Sequence, residues 1–115
     1  MARKYELPCP VARCLDVIGE RWSLLILRDL FLNPARRFQE FERGLPGITP
    51  SVLSARLKEL ESSGIISSEI YLDHPPRLRY FLTAKGRELR PVLSALKKWG
   101  EKYPAKPHRS QVKIL

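Results

Sequence analysis

Cysteine is scarce: Cys9 and Cys14 are the only two among 115 residues. Two thiols do not supply the bridges of a small secreted domain, so the chain reads as a cytoplasmic protein with reduced thiols. Histidine is equally rare, and the spacing of Cys9, Cys14, His74 and His108 fits no zinc pattern, so no metal or other cofactor is expected. Long apolar runs are missing. The longest stretch, Leu24–Leu27, is far from the roughly 20 residues of a membrane span. Residues 1–8 carry positive charge but no apolar segment of a secretory signal. There is no glycine-rich phosphate loop and no nucleophile with a base at a motif spacing, which argues against an enzyme. Acidic residues are few, 12 against 21 Lys and Arg, which leaves a net charge of +9. A domain this basic faces a polyanion: nucleic acid, or less often an anionic membrane surface.

What is present is patterned. With 43% hydrophobic and 29% charged residues, the chain is globular and long enough for one cored domain. Residues 1–8 read as a flexible arm, 9–103 as the domain and 104–115 as a flexible tail. Cys9-Pro10 opens a first helix whose apolar side is Val11, Cys14, Leu15 and Ile18, and Gly19 stops it. A second helix, about Arg21–Leu32, is apolar around more than half its circumference and belongs at the centre, with Trp22 as core. A short third helix spans about Arg37–Arg43, and Pro46-Gly47 is a turn. A fourth, over 49–63, starts with Thr49 as cap and Pro50 in its first turn. Leu53, Leu57 and Leu60 make its inner stripe; Arg56 and Glu59 flank it.

The period then changes from helix to strand. Ile66, Ser68, Ile70 and Leu72 alternate with Ser67, Glu69 and Tyr71, and Leu78, Tyr80 and Leu82 alternate with Arg77 and Arg79. Residues 65–82 therefore read as a β-hairpin turning at 73–76. Thr83 caps a last helix striped by Leu89, Val92, Leu93, Leu96, Trp99 and Tyr103, in which Pro91 forces a kink or a restart.

Four helices, a hairpin and a long last helix are the order of a winged helix-turn-helix, mainly α with a small β-hairpin (α+β). The fourth helix is the reader and the hairpin the wing. Small hydroxyl residues allow close approach to base edges and phosphates. The expected DNA-contacting residues are Arg37, Thr49, Pro50, Ser51, Ser54, Arg56, Lys58, Arg77 and Arg79. Each has a plainer explanation alone. A serine-rich helix face is ordinarily just solvated, and arginines on an edge strand also block edge-to-edge pairing. The order of the elements, more than any residue, points to double-stranded DNA.

The chain resembles the HxlR-type family of winged helix-turn-helix transcriptional regulators over about residues 9–103. The segments that carry the resemblance are Cys9-Pro10, residues 19–27 (GERWSLLIL), 37–41 (RFQEF), 47–61 (GITPSVLSARLKELE), 75–80 (PPRLRY), 82–86 (LTAKG) and Trp99. The resemblance implies a homodimer on a two-fold operator, joined through the first and last helices. The residue before the wing tyrosine is often acidic in the family; Arg79 stands there here, so a more basic wing is expected. The uncovered apolar stripe agrees with a dimer, and the interface expected is Val11, Leu15, Leu93, Leu96, Trp99 and Tyr103. The alternative reading is a winged-helix module that binds RNA or another protein.

Cys9 stands at a helix N-terminus near Arg3, Lys4 and Arg13, a setting that favours a reactive thiolate. Some members of the family resemble this in sensing electrophiles or disulfide stress through an N-terminal cysteine, which makes Cys9 the redox-sensing candidate. Cys14, on the apolar stripe, reads as a buried small hydrophobe.

Overall fold

The structure is a computed structural model that describes residues 6–104. The tail expected over 104–115, apart from Pro104, and most of the arm expected over 1–8 lie outside the described residues, as do Arg3, Lys4 and His108. Helix α1 spans Pro10–Ile18 and α2 Ser23–Leu32; a strand β1, Arg36–Arg37, leads into α3, Phe38–Gly44. Helix α4, Pro50–Ser62, is followed by β2, Ile66–Asp73, and β3, Pro76–Leu82. The chain ends in α5, Ala84–Arg87, and α6, Arg90–Lys102.

The local signals act as their chemistry requires. Cys9 is extended at the start of α1, and the Gly19 N–H closes that helix by donating to the Leu15 carbonyl at 2.8 Å. The Thr49 hydroxyl accepts the Val52 N–H at 3.2 Å, so α4 begins at its cap. Thr83 caps likewise, accepting the Gly86 N–H. Proline 91 resolves the last helix into two: α5 is a single turn and α6 restarts with Pro91 in its first turn. Gly47, in the turn before α4, has φ 97, a left-handed conformation that glycine adopts without strain, and it lies against the Trp22 ring.

Three expectations change. Helix α2 begins at Ser23, because the Glu20 carboxylate accepts the Trp22 N–H at 2.7 Å and holds residues 20–22 in a turn. Arg37 precedes α3 as strand: Arg36 pairs with Tyr80 and Arg37 with Arg79, which makes the hairpin a three-stranded antiparallel sheet of order β1-β3-β2. The central helix is also less enclosed than its sequence suggests. Ile26, Leu27 and Leu30 are buried, but Leu25 is exposed and Leu32 is 72% exposed.

The core gathers Ile18, Ile26, Leu27 and Leu30 with Phe41, Leu45 and the three inner leucines of α4, closed by Ile66 and Leu82 at the base of the sheet. Trp22 is half-buried against this core, with the Arg21 guanidinium over its ring. Only the base of the hairpin is covered. Ile70, Leu72 and Leu78, on the alternating apolar positions, are exposed because no element among the described residues packs under the outer half of the wing. A register shift between Ile70 and Leu72 also breaks the alternation there.

Two polar residues are buried among the described residues, Ser23 and the charged Asp29. Asp29 on α2 is 4% exposed and receives Arg28 at 3.2 Å and Arg36 at 3.5 Å. The Asn33 amide donates to the Asp29 carbonyl. Gly44 lies directly above: a Cβ there would stand 3.0 Å from the Asp29 carboxylate and 3.2 Å from the Arg36 guanidinium. This ion pair joins α2 to β1 at the point where the chain enters α3. Asp29→Ala is expected to cost about 3–5 kcal/mol, because it leaves the Arg36 guanidinium without its carboxylate. Urea unfolding measures it; a loss within about 0.5 kcal/mol, the range of surface changes, contradicts the role.

Candidate nucleic-acid interface

Helix α4 is one-sided. Leu53, Leu57 and Leu60 are fully buried, while Thr49, Pro50, Ser51, Ala55 and Lys58 are exposed and Ser54 is half-buried. Its first turn carries no acidic residue, so the positive end of the helix dipole meets no carboxylate of its own. Arg56 is placed differently from its neighbours. Its side chain is only 11% exposed and bonds Glu59 at 2.9 Å, with Glu20 at 3.9 Å. It therefore ties α4 to the turn before α2, and its charge is spent inside the molecule.

The wing is also less uniform than its sequence. Arg79 Nε lies 2.6 Å from a Glu69 carboxylate oxygen on the paired strand. The extra cation before Tyr80 is thus compensated locally, and the expectation of a more basic wing does not hold at that position. Arg77 is exposed and makes no ion pair among the described residues. Arg37 stands over the Tyr71 ring at 5.1 Å, with Arg79 at 6.0 Å. Tyr71 is the residue that sequence reasoning passed over; its only signal was a place on the polar side of β2. Arg37, Gln39, Tyr71 and Arg77 rim a hollow of about 240 Å³ between the wing and the start of α3.

Among the described residues, the pKa values of Glu40 and Tyr80 are shifted. The Arg37 N–H donates to the Glu40 carboxylate at 2.8 Å and holds its pKa below the ordinary 4.5, against a smaller opposing effect of burial. Burial raises the Tyr80 hydroxyl, and the nearby Glu61 charge adds to it.

The terminal helices present the other surface. Helix α6 has no buried residue. Trp99 is 67% exposed and stacks at 5.2 Å on Tyr103, itself exposed, as are Leu96, Val11 and Leu15. Leu93 differs: it is half-buried against the core of its own chain. Cys9 is half-buried at the start of α1, and its carbonyl accepts the Arg13 N–H. Cys14 is half-buried rather than buried. It packs on the core on one side and lines a hollow of about 280 Å³ with Lys85 and Glu88 on the other. No helix among the described residues is long and apolar enough to cross a membrane.

Helices α3 and α4, joined by the Gly47 turn and flanked by the β2–β3 hairpin, define a winged helix-turn-helix domain. A family model described as HxlR-like helix-turn-helix matches residues 17–108. The chain belongs to this family and is a transcriptional regulator of the helix-turn-helix type. It is 44% identical over 95 residues to the uncharacterized HTH-type transcriptional regulator YdeP of Bacillus subtilis, covering 83% of this chain and 73% of that protein. Among solved structures it is similar to the redox regulator HypR in its oxidized form, with TM-score 0.78, 40% identity, and coverage of 85% of this chain and 100% of that one. It is also similar to the reduced form of the regulator YodB from B. subtilis, with TM-score 0.69, 31% identity, and coverage of 84% and 95%.

The Glu40 shift has a pH consequence. A carboxylate whose folded pKa is depressed stabilises the fold above its unfolded pKa and loses that contribution as pH falls through the folded value. Wild type should therefore exceed Glu40→Gln in stability at pH 7, and the gap should close at pH values well below 4.5. Urea unfolding at both pH values tests this; a gap that does not change with pH means that the Arg37 N–H contact contributes nothing through charge.

Proposed function

We propose that this regulator binds duplex DNA as a homodimer, laying α4 in the major groove and the wing along the adjacent backbone. The observation that carries this is the one-sidedness of α4. Its apolar side is consumed by the core, and the side bearing Thr49, Ser51 and Lys58 is bare and free of acid in the first turn. Thr49 and Pro50 form the leading end of the helix. Ser51 and Ser54 face base edges, and Lys58 and Arg77 supply phosphate charge. Arg37 contributes from the seam between α3 and the wing. Arg56 positions α4 through Glu20 and Glu59, and Arg79 acts through Glu69 and Tyr71 instead of as a free cation.

The homodimer rests on the uncovered stripe. Leu96 and Trp99 of α6 and Tyr103 just after it, with Val11 and Leu15 of α1, form an apolar surface that a second copy would cover isologously. Two reading helices would then sit about one turn of DNA apart, roughly 34 Å. Cys9 opens α1, next to that interface. Oxidation or alkylation of its thiol would alter the dimer's geometry and so the spacing of the readers. The redox regulators HypR and YodB among the structural relatives support this reading of Cys9.

Three experiments test the parts separately. Ser51→Glu with Lys58→Glu should abolish binding to a selected operator, with stability changed by no more than about 0.5 kcal/mol; retained footprint protection shows that α4 docks otherwise. Leu96→Asp with Trp99→Asp should sediment as a monomer, since charges buried in an apolar contact cost several kcal/mol; an intact dimer places the interface elsewhere. Diamide, which takes two electrons and two protons from the thiols it couples, should release operator from wild type and Cys14→Ser but not from Cys9→Ser. Indifference of the wild type makes Cys9 a bystander.

A further inference from the structure

Helices α2 and α6 do not close against each other. Between them runs a groove of about 500 Å³, within the range that holds a small organic ligand. Its walls are leucines of both helices, among them Leu25, Leu93 and Leu96, and the Phe31 ring. Its polar side chains are three cations, Arg28, Arg90 and Lys97, and the Ser94 hydroxyl; no carboxylate lines it. Two of the cations are partnered from outside the groove: Arg28 meets Asp29 at 3.2 Å and Lys97 meets Glu101 at 3.0 Å. Arg90 is in no ion pair among the described residues, and its guanidinium stands 4.7 Å from the centre of the Phe31 ring.

An apolar trough with an uncompensated guanidinium at its edge selects one ligand chemistry. The occupant needs a body of rings or methylenes to cover the leucines and a single negative group to meet Arg90. We propose that this groove binds an amphipathic organic carboxylate of about two fused rings. The acid end pairs with Arg90, with Lys97 near it, and the apolar end lies along Leu25, Phe31 and Leu93. A guanidinium over a ring presents a flat fork suited to a carboxylate.

A second copy of the chain is a poorer occupant. On α6, Leu93 and Trp99 point roughly 120° apart at 100° per residue. The Trp99 side carries the apolar stripe, edged by Lys102 at 5.6 Å from the Tyr103 ring, whereas three cations line the groove. A two-fold contact through the groove would set Arg28, Arg90 and Lys97 close to their own equivalents, where like charges repel. Leu96 lies between the two surfaces, so an occupant of the groove would touch the edge of the proposed dimer contact.

The test uses the full chain and two probes, 1-naphthoate and its neutral counterpart 1-naphthalenemethanol, titrated by calorimetry. Naphthoate should bind saturably, one per chain, and the alcohol about tenfold or more weakly, the worth of one charged hydrogen bond. Arg90→Gln should bring the acid down to the alcohol's affinity and leave the alcohol unchanged. If Arg90→Gln does not fold, as judged by circular dichroism, Lys97→Gln should weaken the acid selectively by a smaller factor. Equal affinity for acid and alcohol, an acid affinity indifferent to these substitutions, or no saturable binding overturns the proposal. Binding is read on the protein without DNA, so the result is independent of the operator reading.

Discussion

Burial of Leu53, Leu57 and Leu60 decides which side of α4 meets solvent. These three side chains enter the core beside Ile26, Leu27 and Phe41, and every other residue of the helix takes its direction from them. Removing one would open a cavity and cost about 2–5 kcal/mol. The Arg56 bridge to Glu20 adds a tether to the turn before α2, so the helix is held from the core and from its flank. The Asp29–Arg36 pair then holds the entry to α3, under a glycine that leaves no room for a methyl group without displacement. Such rigid holding is what the base recognition proposed for α4 requires, since contacts of hydrogen-bond length tolerate little drift.

The same core leaves two surfaces unsatisfied. It is too small to cover α6, of which only Leu93 is half-buried against it, with Leu89 just before the helix, or the outer half of the wing. Exposed apolar residues scattered singly need no explanation, but Trp99, Tyr103, Leu96, Val11 and Leu15 lie along two helices as stripes. The wing's exposed Ile70, Leu72 and Leu78 are smaller side chains at the free end of a hairpin. Charge differs between the surfaces: Arg28, Arg90 and Lys97 line the groove between α2 and α6, whereas the Trp99 stripe is edged by Lys102, 5.6 Å from the Tyr103 ring. A folded monomer with a bare apolar stripe and a separate basic face fits a protein whose finished form is an assembly on a polyanion.

Much of this was legible beforehand because period and caps are local. The spacing of Leu53, Leu57 and Leu60 names the buried side of α4, and Thr49-Pro50 names its start to the residue. Proline 91 announces a break. What escaped is non-local. Two residues, Arg36 and Arg37, have no period, so only the presence of β3 beside them reveals a strand. The pairing of Arg79 with Glu69 depends on hairpin register, and that of Arg56 with Glu20 on how α4 lies across the turn before α2. Alternation tells which residues share a face but not whether anything covers it, which is why Ile70 and Leu78 look like core in the sequence and lie in solvent. Tyr71 was hidden by the register shift beside it.

The central claim is that two identical reading helices engage a two-fold site on duplex DNA. Selection of bound duplexes from a random pool, followed by sequencing, tests it most directly. The account predicts an enriched inverted repeat whose half-sites are centred about 10 base pairs apart, one turn of the helix. Enrichment of a single unpaired half-site would contradict the dimer, and no enrichment at all, with RNA or a protein partner bound instead, would contradict the reading of α4.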